Sequence, residues 1–139
     1  MPELEEMKRG LTVRGDRPRN WRMNFITLGG IVGALGVALG AFGAHGLSRI
    51  ATQQQLGWWE TGVRYQLVTA VALVLFGLLR RQVPGNDFAG WALFVGAAIF
   101  SGSLYLMTLG APRWLGAITP IGGLSMIAGW ILLAVAARH

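Results

Sequence analysis

Cysteine is absent from the 139 residues. That excludes disulfides, thiolate metal sites, iron–sulfur clusters and a cysteine nucleophile from this chain. Charge is also scarce, at 13% Asp, Glu, Lys and Arg, against 53% apolar residues and a mean hydropathy of +0.50. Such a balance lies outside the usual soluble range and implies lipid as the solvent for most of the chain. Only two histidines occur, His45 and His139. The long apolar runs never alternate as barrel strands do, so spans are expected to be helices.

Crossing a hydrocarbon core of about 30 Å takes roughly 20 apolar residues at about 1.5 Å per residue. Four segments qualify: Met23–Ala44, Val63–Leu79, Phe88–Leu109 and Thr119–Ala137. The expected fold is therefore an all-α membrane protein, a four-transmembrane-helix bundle with short loops, occupying residues 23–139 behind a polar, basic amino-terminal arm, residues 1–22. The arm lacks the apolar content to fold alone and reads as a solvated or lipid-facing tail, with Met23 an alternative start. A signal peptide is the rival reading of Lys8–Ala44, but the run is longer than a signal sequence's apolar stretch and has no clear cleavage site.

The net charge of +6 is topogenic rather than nucleic-acid-binding, because the basic residues sit at the ends of apolar segments and form no aromatic-interleaved patch. Lys8, Arg9, Arg14, Arg17, Arg19, Arg22, Arg80, Arg81 and Arg138 fall on one side, while Arg49, Arg64 and Arg113 fall on the other. The positive-inside bias then places both termini in the cytoplasm of a bacterial inner membrane. Leu47–Glu60 is the one long connection. Its residues Leu47, Ile50, Ala51 and Trp58 suggest one face of a short interfacial helix on the outer surface. Trp58, Trp59 and Trp114 are expected at headgroup depth there, and Trp21 at the opposite interface.

Gly29, Gly33, Gly36, Gly40 and Gly43 recur at spacings of four and three, forming one stripe along span one. Gly122, Ser125 and Gly129 make a similar face on span four. Small faces let helix backbones approach closely in lipid, where no hydrophobic force separates a helix from an acyl chain. Span one is accordingly expected against span four, or against its copy in a second subunit. A glycine-rich nucleotide loop does not fit glycines buried in an apolar span.

The polar residues gather toward the outer side. Arg64 lies about 22 Å along the helix from Leu79, inside the outer part of the hydrocarbon, and Glu60 one turn earlier is placed to pair with it. Ser101 and Ser103 reach about 20 Å up span three. Thr119 before Pro120 reads as a helix cap, and His45 as a C-terminal histidine beside a glycine cap. Taken together, His45, Glu60, Arg64, Ser101, Ser103 and Thr119 are a candidate outer pocket for an anion or lipid headgroup. His139 falls across the membrane from His45, so one chain supplies no bis-histidine metal or haem site. No cofactor, metal or catalytic residue is expected, and no nucleophile motif surrounds the serines.

Five motifs carry a family resemblance: GAFGAHGL at Gly40–Leu47, W-x-x-G-x-x-YQ at Trp59–Gln66, FSGSLY at Phe100–Tyr105, ITPIGG at Ile118–Gly123 and GW at Gly129–Trp130. In that order and spacing the sequence resembles the YgdD-like proteins, the domain of unknown function 423 family, whose relatives include animal transmembrane protein 256. The resemblance spans all four apolar segments and leaves Met1–Arg22 outside. It implies a small bacterial inner-membrane protein with no established biochemical activity. Many members carry a histidine where this chain has Thr69, which weakens any histidine-pair mechanism. The readings that follow are a non-catalytic accessory or packing subunit of a membrane assembly, with a membrane-protein partner or a homo-oligomer. The alternatives are a small oligomeric carrier or channel and a quinone- or lipid-binding protein.

Overall fold

A computed structural model describes residues 1–12 and 24–138. The described residues form five α-helices: α1 (Pro2–Thr12), α2 (Phe25–His45), α3 (Gln53–Gln82), α4 (Phe88–Thr108) and α5 (Thr119–Ala136). Four of them, α2 to α5, are long and apolar enough to cross a membrane. Trp21, Met23, the arginines from Arg14 to Arg22 and His139 lie outside the described residues.

The start of the arm forms the exposed helix α1. Glu3 and Glu5 stand in the first turn of α1 and Arg9 in its last, each complementing the helix dipole. An exposed Glu5–Lys8 pair at 3.7 Å adds little.

The boundaries of the spanning helices follow from their caps. Asn24 accepts a hydrogen bond from the Ile26 amide at 3.1 Å and starts α2. Thr52 and Gln55 form a reciprocal capping box, with bonds of 3.2 and 2.9 Å, that starts α3 well before Val63. The Leu47–Glu60 connection is thus divided. Leu47–Arg49 is a single 3₁₀ turn, and Gln53–Glu60 is already α3. The proposed common face fails too, since Leu47 is buried while Ile50 is 83% exposed. At 30 residues α3 extends about 45 Å, more than a bilayer core requires.

Packing runs in chain order, α2 on α3, α3 on α4 and α4 on α5. The expected contact between spans one and four is not formed as a packed face. The glycine stripe of α2 meets α3 instead, because α3 presents a matching row. A Cβ added at Gly29 would lie 2.7 Å from the Ala70 carbonyl oxygen, one at Gly36 2.7 Å from Leu67, and one at Gly43 2.5 Å from the Trp59 indole. Gly33 and Gly40 face Ala70 and Val63 along the same row at 3.5 and 3.3 Å. On α5, Gly122 faces Gly96 and Phe100 of α4, and Gly129 faces Leu93. The Gly96–Gly122 approach is reciprocal, each would-be Cβ meeting the other's carbonyl oxygen at 2.8 or 2.6 Å, so two backbones touch directly.

The result is a four-helix bundle laid out as a row in chain order, with α3 and α4 at its centre and Phe25 of α2 also reaching Gly90 and Trp91 of α4. Phe25, Ala72, Leu73, Phe76, Ala89 and Leu93 form the core toward the α3–α4 turn, and Leu47, Trp59 and Val63 the core toward the other end. Large apolar residues on the rims stay exposed, among them Ile31, Leu35 and Val37 of α2 and Leu124, Ile127 and Ile131 of α5.

Candidate functional site

The six residues expected in one outer pocket separate into four places. His45 is exposed in the last turn of α2. Its neighbour Gly46 has φ −87°, so the chain does not turn there through a left-handed glycine; a Cβ at Gly46 would lie 2.9 Å from the Phe42 ring, and close approach is the reason for glycine. Ser101 is buried and donates to the Gly62 carbonyl of α3 at 2.7 Å. Ser103 and Thr119 share a hydrogen bond of 2.6 Å between α4 and α5. Thr119 does not cap α5, because its hydroxyl is engaged by Ser103 and by the Leu115 carbonyl.

Glu60 and Arg64 remain together, exposed on one side of α3, but the expected ion pair between them is not made. Both line a groove of about 340 Å³ between α2 and α3, whose walls include Gly40, Gly43, Val63 and Leu67. Trp59 closes its floor. This tryptophan is 3% exposed and its indole donates to the Leu39 carbonyl at 2.8 Å, so it is a helix-joining core residue and not part of an interfacial belt. Trp114, by contrast, is 64% exposed.

Two polar residues at the centre of the row escaped the sequence reading as a pair. The Gln66 amide donates to the Val32 carbonyl of α2 at 3.0 Å and accepts from the Tyr105 hydroxyl of α4 at 2.7 Å, which makes one side chain a bridge across three helices. They border a second groove, about 220 Å³, between α2 and α4. The signal was available, since an amide inside a span is tolerable only when both of its ends find partners. Arg80 is the other missed residue. Across the α3–α4 turn it bonds Asp87 at 3.3 Å and the Val83 carbonyl at 2.8 Å, with 13% of its side chain exposed.

The motifs that carried the family resemblance are the places where helices join. Trp59 packs on Tyr105 with ring centroids 4.6 Å apart, Tyr65 on Phe100 at 4.7 Å, and Gly62 admits the edge of the Tyr105 ring. A row of apolar helices fastened by such contacts is a polytopic helical membrane protein. Residues 39–123 match the model of a protein family described as "Protein of unknown function (DUF423)", and the chain belongs to that family. It is 45% identical over 112 residues to a UPF0382 membrane protein of Staphylococcus haemolyticus, covering 80% of this chain and 92% of that relative. It is 44% identical over 116 residues to the UPF0382 membrane protein YwdK of Bacillus subtilis, covering 81% and 94%. No solved structure matches it.

Proposed function

We propose that this integral membrane protein is a non-catalytic accessory subunit of a membrane assembly, seated in a bacterial inner membrane with both termini on the cytoplasmic side. The observation that carries this reading is the use made of the polar groups within the spans. Ser101, Ser125 and Thr108 donate to backbone carbonyls of neighbouring helices at 2.7, 2.8 and 3.1 Å, and Gln66 and Tyr105 complete a bridge of their own. Among the described residues no buried side-chain nitrogen or oxygen is without a partner. These groups fasten the helices, and among the described residues the hydroxyls of Ser101 and Ser125 are spent on backbone carbonyls. The open rims on α2 and α5 offer apolar surface to a neighbouring membrane protein or to a second copy.

Gentle extraction from native membranes, cross-linking and identification of the captured chains test the partnership. A stoichiometric membrane-protein partner or a defined homo-oligomer is the expected result; a monomer surrounded by lipid alone overturns it. Orientation rests on Arg80, Arg81 and Arg138 lying at one end of the row, opposite Arg49 and Arg113. Reporter fusions after Arg81 and after His139 should report cytoplasm, and fusions within Gln53–Gln55 or at Arg113 the outer compartment. An outer signal after His139 reverses the orientation.

A further inference from the structure

We infer that the groove between α2 and α3 holds a phospholipid whose head group carries a primary amine beyond its phosphate. The accessory-subunit reading neither requires this site nor supplies it. Arg64 and Glu60 are four residues apart on one helix, in the order that favours an ion pair, yet neither forms an ion pair among the described residues. Both side chains border the same groove of about 340 Å³, within the about 300–1,000 Å³ typical of ligand clefts. Its other walls are largely apolar, with Gly40, Gly43 and Ala44 from α2 and Leu56, Val63 and Leu67 from α3.

Depth selects the occupant. Arg80 lies at the far boundary of α3, and Arg64 stands about 24 Å from it along the axis, just inside a hydrocarbon core of about 30 Å. Glu60 stands about 6 Å further out, at the boundary. An uncompensated guanidinium at that depth is costly unless it meets an anion, and a planar fork matches phosphate oxygens. A phospholipid presents its groups in the same order. Acyl carbon is innermost, then the phosphate at the core boundary, which the long Arg64 side chain reaches by extending outward, then an ammonium beside Glu60. A head group with phosphate alone would leave Glu60 beside a second negative charge. A lipid so placed would give each residue its own counter-charge.

The test uses the full chain purified in detergent, offered phosphatidylethanolamine, phosphatidylglycerol or phosphatidylcholine with identical acyl chains, and native mass spectrometry of the retained lipid. Wild type should keep one phosphatidylethanolamine, in preference to phosphatidylglycerol by about tenfold, the ratio that corresponds to about 1.4 kcal/mol. Phosphatidylcholine should rank below it, since a trimethylated amine cannot donate to a carboxylate. Glu60→Gln should erase the preference while phospholipid is still retained, and Arg64→Gln should abolish retention of all three. Both residues are exposed, so these variants keep the fold, which thermal melting confirms independently. Equal retention of the three lipids by wild type, a preference for phosphatidylglycerol lost only in Arg64→Gln, or indifference to both substitutions each overturns the assignment.

Discussion

The helix contacts of this protein are made in two different ways. The outer seams, α2 on α3 and α4 on α5, rely chiefly on missing side chains, with glycines that let one helix press into another, although Trp59 and Gln66 also bond α2 carbonyls and Ser103 and Ser125 bond across α4 and α5. The central seam, α3 on α4, relies on added ones: Ser101 to the Gly62 carbonyl, Thr108 to the Gln55 carbonyl, Tyr105 to Gln66, and paired aromatic rings. Close backbone approach yields contact energy only at short range, so any added atom cancels it. A hydrogen bond across a seam is lost singly and leaves its neighbours standing. The outer seams should therefore fail abruptly, and the central seam gradually.

Substitutions separate the two. Gly122→Ala places a Cβ within 3 Å of the Phe100 amide nitrogen and the Gly96 carbonyl oxygen, backbone atoms that cannot rotate away. It should cost at least the upper part of the about 1–3 kcal/mol usual for overpacking, read as a large fall in melting temperature in detergent. Gly29→Ala, against the Ala70 carbonyl, should behave alike. A smaller loss is expected from Gln66→Leu, which removes both bonds of the three-helix bridge, at about 1–2 kcal/mol. Ser101→Ala should cost about 0.6 kcal/mol, the average for an interhelical hydrogen bond in a membrane. The least effect belongs to Gly30→Ala, next to Gly29 but with nothing within 4 Å of its would-be Cβ; it should be silent or slightly stabilising. If Gly30→Ala melts as low as Gly29→Ala, the glycines matter for backbone flexibility and not for approach. If Ser101→Ala is as damaging as Gly122→Ala, the distinction between the seams disappears.

The contrast also explains what could be read in advance. Glycine spacing is a property of one helix, and it outlined small faces on α2 and α5 without saying what lies against them. Their partners were assigned wrongly because the complementary rows, Trp59, Val63, Leu67 and Ala70 on α3 and Gly96 with Phe100 on α4, look like ordinary apolar sequence until the helices are side by side. The start of α3 was legible in Thr52 and Gln55, but apolar content drew attention to Val63 instead. For the outer cluster, distance along each helix set the depths of Ser101, Ser103 and Arg64 but carried no information about rotation around the axes, which sends the two serines to different neighbours. The Glu60–Arg64 pair failed for another reason: spacing permits an intrahelical pair without enforcing it. Arg80 found its carboxylate across a turn, in Asp87, where no helical rule would have looked.

The order of packing bears on how the protein is made. Because each spanning helix rests along its length on the one before it, nothing synthesised early has to wait for the last segment to find a partner. The α2–α3 hairpin can lock its glycines while α4 is still being translated, α4 then meets a finished surface, and α5 closes onto α4 last. Links between helices that are not consecutive include Phe25 of α2, which packs on Gly90 and Trp91 of α4, and the Thr69 hydroxyl on α3, which reaches the Met126 sulfur on α5 at 3.7 Å. Contacts so local in the chain favour rapid assembly and expose few half-built surfaces during synthesis. Two hairpins made as separate polypeptides, divided between Val83 and Asp87, should accordingly find one another in the membrane.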